Sequence, residues 1–155
     1  AKANIVSLAV AGQNQHQDAG TKIIHCAENT KSNIISKSIS KNGGRSSYRG
    51  LVVGLPTINN CQSAVKCDAL LFADSRSDTY PTINVKGDFQ IEHEAAVSNI
   101  SEEQIFYSMS RGIMAEKAQA MVINGFVGSF LEELPLEYAL EINKLISHEM
   151  EGSIG

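Results

Sequence analysis

The sequence predicts a mainly β chain that ends in a small α-helical subdomain. Three observations carry this. Through about residue 98 the apolar residues come in short runs, each broken by Gly, Pro, Asn or Asp, and none shows helical spacing. At Ser101 the pattern changes to helix-capping signals followed by apolar residues at helical spacing. The links between the predicted helices are 2–4 residues long, which gathers them into one unit.

Seven strands are expected in order: Ile5–Val10, Lys22–Cys26, Asn33–Ile39, Ser47–Val53, Ala64–Phe72, Thr82–Val85 and Phe89–Ala95. Turn signals separate several of them, at Asn42-Gly43-Gly44, Gly54-Leu55-Pro56, Asp74 to Asp78 and Gly87-Asp88. The strands recur roughly once per 10 to 18 residues with no fixed-period repeat. A sandwich, a jelly roll and a β-helix with short rungs all accommodate such a series.

Ser101 with Gln104 forms a capping box, and Ile100 with Ile105 a hydrophobic staple. That helix should run to Arg111 and stop at Gly112. A second spans Ala115 to Leu131, with Ala118, Met121, Val122 and Phe126 on its buried face and Gly125 where another backbone can approach. Met114 stands at its N-cap, a position that favours polar residues. The third takes Pro135 at its first position and Gly152 just past its last turn, and buries Ala139, Ile142, Leu145, Ile146 and Met150.

With 155 residues, 43% of them hydrophobic and 19% charged, the chain has material for a folded core. We divide it at 1–98 and 99–155. The net charge of −4 disfavours nucleic acid as a partner. No apolar run is long enough to span a membrane, and no basic segment followed by an apolar one reads as a secretory signal. Three cysteines without an export signal read as reduced thiols in a cytosol-like compartment. The start, Ala1-Lys2-Ala3-Asn4 without Met, reads as a piece of a longer protein. There is no phosphate-binding Gly-rich loop ending in Lys-Ser/Thr.

Glu92-His93-Glu94 is the most chemically loaded stretch. Alternation puts Glu92 and Glu94 on one face of a strand and His93 on the other. Cys67 sits in a separate apolar run and shares its face with Val65 and Ala69. Thiolate, imidazole and carboxylate suit iron–sulfur or zinc chemistry, or a cysteine nucleophile with its base. A solvated strand end and a small buried thiol explain the same residues without any chemistry. Cys26 beside His25, Cys61 six residues before Cys67, and His16 in a polar turn are weaker candidates. Arg45 to Gly50 could hold phosphate, but also reads as a surface turn with arginine stems along Tyr48. Glu132-Glu133 suits the start of the third helix. Phe130, Leu131, Leu134, Leu136 and Tyr138 are more apolar surface than three short helices bury among themselves.

Taken together, these stretches resemble a known family. Ile100-Ser-Glu-Glu-Gln-Ile-Phe-Tyr107, Ser110-Arg-Gly-Ile113, Asn124-Gly-Phe126, Glu133-Leu-Pro-Leu-Glu-Tyr-Ala139 and Glu151-Gly-Ser-Ile-Gly155 resemble the C-terminal region of the SufB/SufD family. These are scaffold subunits of the Suf iron–sulfur cluster assembly system. Glu28-Asn-Thr-Lys-Ser32, Ile35-Ser-Lys37, Ser47-Tyr-Arg-Gly50, Lys66-Cys-Asp68 and Ile91-Glu-His-Glu-Ala95 fit the same family in order. The His-Glu pair and the Gly-Ser-Ile-Gly ending place it on the SufB side.

The resemblance implies a right-handed parallel β-helix capped by a helical subdomain. It also implies that the chain is not an enzyme but part of a scaffold that builds a transient iron–sulfur cluster, held by Cys67 and Glu94 with His93 and Glu92 beside them. The isolated fragment is expected to lack the cluster. The implied partners are a SufC-like ABC ATPase on residues 101–155, a SufD-like paralogue at the end of the β-helix, and a cysteine desulfurase system acting indirectly. Homodimerisation through the same end is a further expectation, as is a cytoplasmic location, or plastid stroma or apicoplast in a eukaryote. The family's upstream sulfur-receiving cysteine has no counterpart in this chain, and Ser75 to Tyr80 departs from members carrying a His there. Two rival readings stand beside it: a hydrolase with Cys67 as nucleophile and His93 as base, and a purely structural β-solenoid module.

Overall fold

In a computed structural model the seven strands are all present and all longer than predicted. The structure describes residues 1–132 and 134–151, without the side chains of 149–151. The strands are β1 Lys2–Ala11, β2 His16–His25, β3 Lys31–Ser40, β4 Arg45–Gly54, β5 Cys61–Phe72, β6 Arg76–Asn84 and β7 Phe89–Ile100. Odd strands form one sheet, in the order β1-β3-β5-β7, and even strands a second, β2-β4-β6. The pairings with assigned register, within β1-β3-β5 and β2-β4-β6, are all parallel. The chain therefore coils as a β-solenoid, each turn contributing one strand to each sheet.

The register exposes a repeat that the spacing of apolar runs concealed. Lys2 lies opposite Lys31 and His16 opposite Arg45, while Lys31 lies opposite Gln62 and Arg45 opposite Arg76. The corners stack through backbone bonds, Arg45 N to Gln15 O and Arg76 N to Gly44 O both at 3.0 Å. Sharp corners require left-handed backbone, and asparagine supplies it at Asn14, Asn29, Asn42 and Asn60. Ala73 occupies the same conformation at φ 52°. The turn predicted over Asp74 to Asp78 ends early: Arg76 to Asp78 already belong to β6, because each pairs with its counterpart in β4.

Equivalent positions stack into columns inside the coil. Ile5, Ile34 and Val65 form one and Ser7, Ser36 and Cys67 the next. Ile34, Tyr48, Val52, Val65 and Cys67 make the buried cluster at the centre. The Arg45–Gly50 stretch is strand, not surface turn. Tyr48 points inward, Arg45 pairs with Asp78 at 2.6 Å, and Arg49 pairs with Asp18 at 3.1 Å and lies over Tyr80. Both arginines are thus committed within the sheet, which removes the phosphate reading.

Contacts divide the chain into Ala1–Asn99 and Ile100–Gly155. The second unit holds α1 Glu102–Ser110, α2 Ala115–Leu131 and α3 Leu136–Glu151. The capping box forms as predicted: Gln104 N donates to Ser101 Oγ at 3.3 Å, and Ser101 N to Gln104 Oε1 at 3.0 Å. Gly112 takes φ 83°. Met114 caps α2 without a side-chain bond.

Four details differ from expectation. Helix α2 buries Ala118, Ile123, Val127 and Phe130, leaving Met121 exposed. Its apolar residues surround the axis, so periodicity alone did not choose the face. Nothing approaches Gly125. In α3, Ile146 is buried but Leu145 is exposed; Met150, Glu133 and Gly152 fall outside the described side chains or residues. Pro135 sits one position ahead of the helix and contributes its carbonyl to the first bond, from Ala139 N at 3.0 Å.

Candidate functional site

Cys67 is the third member of the Ser7–Ser36–Cys67 column and is 5% exposed. It faces inward because alternation along β5 also buries Val65 and Ala69. Burial, reinforced by the negative charge of Asp68, pushes its thiol up to about 11. At neutral pH it is therefore a protonated thiol.

The triplet lies on β7, the last strand of its sheet. There the pattern is strictly alternating: Phe89, Ile91 and His93 are half-buried, while Gln90, Glu92 and Glu94 are exposed. Glu92 and Glu94 share one face and His93 takes the other, as predicted, and the structure turns the carboxylates outward and His93 inward. The His93 Nε2 atom is buried and has no hydrogen-bond partner among the described residues. The backbone bond from Cys61 N to Asp88 O and the side-chain bond from Gln62 to Gln90, at 3.0 Å, fix how β7 lies on β5. Carried along the strands, that offset sets Ala95 beside Cys67 and Glu94 beside Lys66.

Cys67 and Glu94 are thus close in register but on opposite faces of one sheet. Among the described residues no three His, Cys, Asp or Glu side chains come close enough to hold a metal ion. The donors are a soft sulfur inside and two hard carboxylates outside, separated by the backbone of an edge strand. The set fits a cluster only if that edge opens or a second surface completes it. For a Cys-His nucleophilic pair the geometry is poor. No Cys67–His93 bond is present among the described contacts, and a thiol near 11 is a weak nucleophile.

A cavity of about 20 Å³ adjoins Cys67, room for about one water. Ser36, Ser38, Tyr48, Ser77 and Ala95 are among its walls. The polarity of this space was not anticipated. Its signal is serine or cysteine recurring at the turn length, as in Ser7, Ser36 and Cys67, and that is visible only once the register is known.

A second buried polar group was also missed. His25 bonds Thr30 at 2.6 Å and Ser32 at 2.9 Å, and meets Phe89 edge-on at 4.8 Å. Ser32 continues to Ser63 at 2.8 Å, and Thr30 reaches Cys61 at 3.3 Å. Burial holds His25 below the ordinary histidine range, so it stays neutral. Cys26, next in sequence, is exposed. His16 begins β2 rather than lying in a turn, and bonds Ser47 at 2.9 Å. In the helical unit Phe106, Tyr107, Met114, Leu136, Tyr138 and Leu145 are exposed. Of the predicted surplus, Leu136 and Tyr138 are exposed, Leu131 and Leu134 are half-buried and Phe130 is buried. No described helix is long and apolar enough to cross a membrane.

Residues 1–126 match the family profile described as "SUF system FeS cluster assembly, SufBD core domain". The whole chain is 52% identical to the iron–sulfur cluster assembly protein SufB of Bacillus subtilis, covering 34% of that protein. It is 53% identical to an iron–sulfur cluster assembly SufBD family protein of Staphylococcus aureus, covering 34%. A SufBD family protein of Mycobacterium tuberculosis is also 53% identical, with 19% of its length covered. The chain spans about a third or less of these relatives.

Proposed function

The chain belongs to the SufBD family of iron–sulfur cluster assembly proteins, and on that premise we propose that it forms the ligand-bearing part of an assembly scaffold. The observation that carries the reading is the position of Cys67. It lies in the interior against the edge strand β7, whose outer face presents Glu92 and Glu94. In this reading the cluster is cargo. Cys67 loses its proton on taking up iron, and the coupling of metal binding to proton release makes uptake pH-dependent. Glu94 supplies a hard ligand that lets go readily, which suits a cluster that must leave. His93 and Glu92 are supporting donors.

A protonated, enclosed thiol cannot bind iron until the edge is displaced. That favours a site completed by a second subunit, a SufD-like paralogue, against the free edges of β6 and β7. A second copy of the chain could use the same edges. The exposed apolar residues of the helical unit are the surface on which we place a SufC-like ATPase that drives assembly. Sulfur would arrive from a cysteine desulfurase system elsewhere. The chain in this scheme is a scaffold, not a catalyst.

The test is cluster content. Full-length protein is co-expressed with its partners, purified anaerobically and assayed for iron and sulfide. Cys67→Ala and Glu94→Ala should each lose most of both. Wild-type levels in both variants would leave the structural-module reading, in which Cys67 merely packs.

A further inference from the structure

Tyr48 stands inside the solenoid at 7% exposure, and its buried hydroxyl has no hydrogen-bond partner among the described residues. Folded proteins rarely strand a buried hydroxyl, and where they do the exception calls for a cause. The Thr21 hydroxyl acts on it as a donor, but no bond of full hydrogen-bonding geometry joins the two, and the Tyr48 proton itself has no acceptor among the described residues. Several nearby hydroxyls are engaged elsewhere: Ser38 bonds Ser77 at 3.3 Å, Ser46 bonds Ser77 at 3.0 Å and Ser47 bonds His16 at 2.9 Å. Tyr48 and Cys67 line the same small cavity and belong to the same buried cluster. Burial, with a smaller contribution from Cys67, holds the Tyr48 hydroxyl above its ordinary range. The cavity thus brings together a donor without an acceptor among the described residues and a sulfur that becomes a strong acceptor only as a thiolate.

We propose that Tyr48 is a positioning residue, whose O–H donates to the Cys67 sulfur once that sulfur has bound iron. This rests on the reading of Cys67 as a cluster ligand. The step is a simple exchange: the Cys67 S–H proton leaves to solvent, an iron–sulfur bond forms, and no electrons are transferred. A phenol keeps its proton at neutral pH and is a donor throughout. In the resting protein the hydroxyl has no acceptor among the described residues; in the loaded protein it has a charged one, the stronger kind of partner.

Tyr48→Phe removes the oxygen and keeps the ring. The full-length protein, purified with its partners, is reconstituted with ferrous iron and sulfide, and Cys67→Ala is run alongside. Three results are expected for Tyr48→Phe. The metal-free protein melts at the wild-type temperature or above it, since only an unbonded hydroxyl is lost. Iron passes to a ferrous chelator about 10-fold faster. The iron–thiolate stretch in resonance Raman shifts, as it should when a hydrogen bond to the sulfur is removed. A melting temperature clearly below wild type would show the hydroxyl already bonded at rest and overturn the proposal. So would a wild-type release rate and stretch in Tyr48→Phe while Cys67→Ala is empty. A loaded Cys67→Ala would overturn both this proposal and the reading beneath it.

Discussion

If Cys67 is enclosed as the structure places it, its thiol should be nearly inert in the folded protein. At pH 8 a thiol titrating near 11 is ionised in roughly one molecule in a thousand. Alkylation proceeds through the thiolate, so ionisation alone slows it by about that factor relative to a fully ionised thiol. Burial beneath β7 slows it further. Cys26, exposed at the end of β2, provides the internal standard. Treating full-length protein with iodoacetamide at pH 8 and following the two peptides by mass spectrometry should show Cys26 consumed long before Cys67. The same burial has a thermodynamic side. The thiol's folded value lies above its unfolded one, so stability is intact below about 9 and falls as pH rises toward 11. A shift of about two units amounts to about 3 kcal/mol. Denaturant midpoints between pH 8 and 11 should fall more in the wild type than in Cys67→Ala, which has nothing there to ionise. Equal alkylation rates for the two cysteines, or parallel pH curves for the two proteins, would refute the enclosed thiol.

Three further outcomes follow from the geometry. Ala73 takes a left-handed conformation that asparagine tolerates better, so Ala73→Asn should stabilise by about 0.5–1 kcal/mol. Hydrogen exchange of the β5 and β6 amides would read it, and faster exchange would contradict the strain. His25 is held neutral by burial, its folded value below the ordinary 6.5. Stability should therefore be intact above 6.5 and decline below it, with the urea-midpoint gap between wild type and His25→Asn narrowing from pH 7 to 5; a constant gap would contradict this. If the proposed SufC-like ATPase docks on the helical unit, deleting residues 101–155 from the full-length protein should abolish its co-purification, and undiminished co-purification would refute that docking surface.

The strands were legible because every corner but Ala73-Asp74-Ser75 is punctuated by Asn or Gly and each run is short. Their topology was not. Residues in register lie 29 or 31 positions apart, and a repeat that changes length between turns has no fixed period to find. The facing of Glu92, His93 and Glu94 followed from alternation and needed no tertiary information. That Glu94 and Cys67 lie on opposite faces depended on the register of β7 on β5, which the two isolated segments did not carry. His25 reads as half of a weak pair with Cys26, since adjacent strand residues point apart. Its actual partners, Thr30 and Ser32, come from the next corner and the next turn. The capping box at Ser101 was plain because all its parts are local, whereas the buried face of α2 depended on neighbours the apolar pattern left undetermined.

The change from 29 to 31 residues between turns leaves every interior column aligned, so the extra residues are absorbed at the corners. Length changes in this fold thus have two very different outcomes. Residues added or lost at a corner such as 55–60 alter only the outline of the coil. One residue removed within β5 ahead of Cys67 would reverse the facing of everything after it. Asp68 would then take the inward place and the thiol would point to solvent. The solenoid therefore separates where the chain is free to drift in length over evolutionary time from where a single deletion silences it.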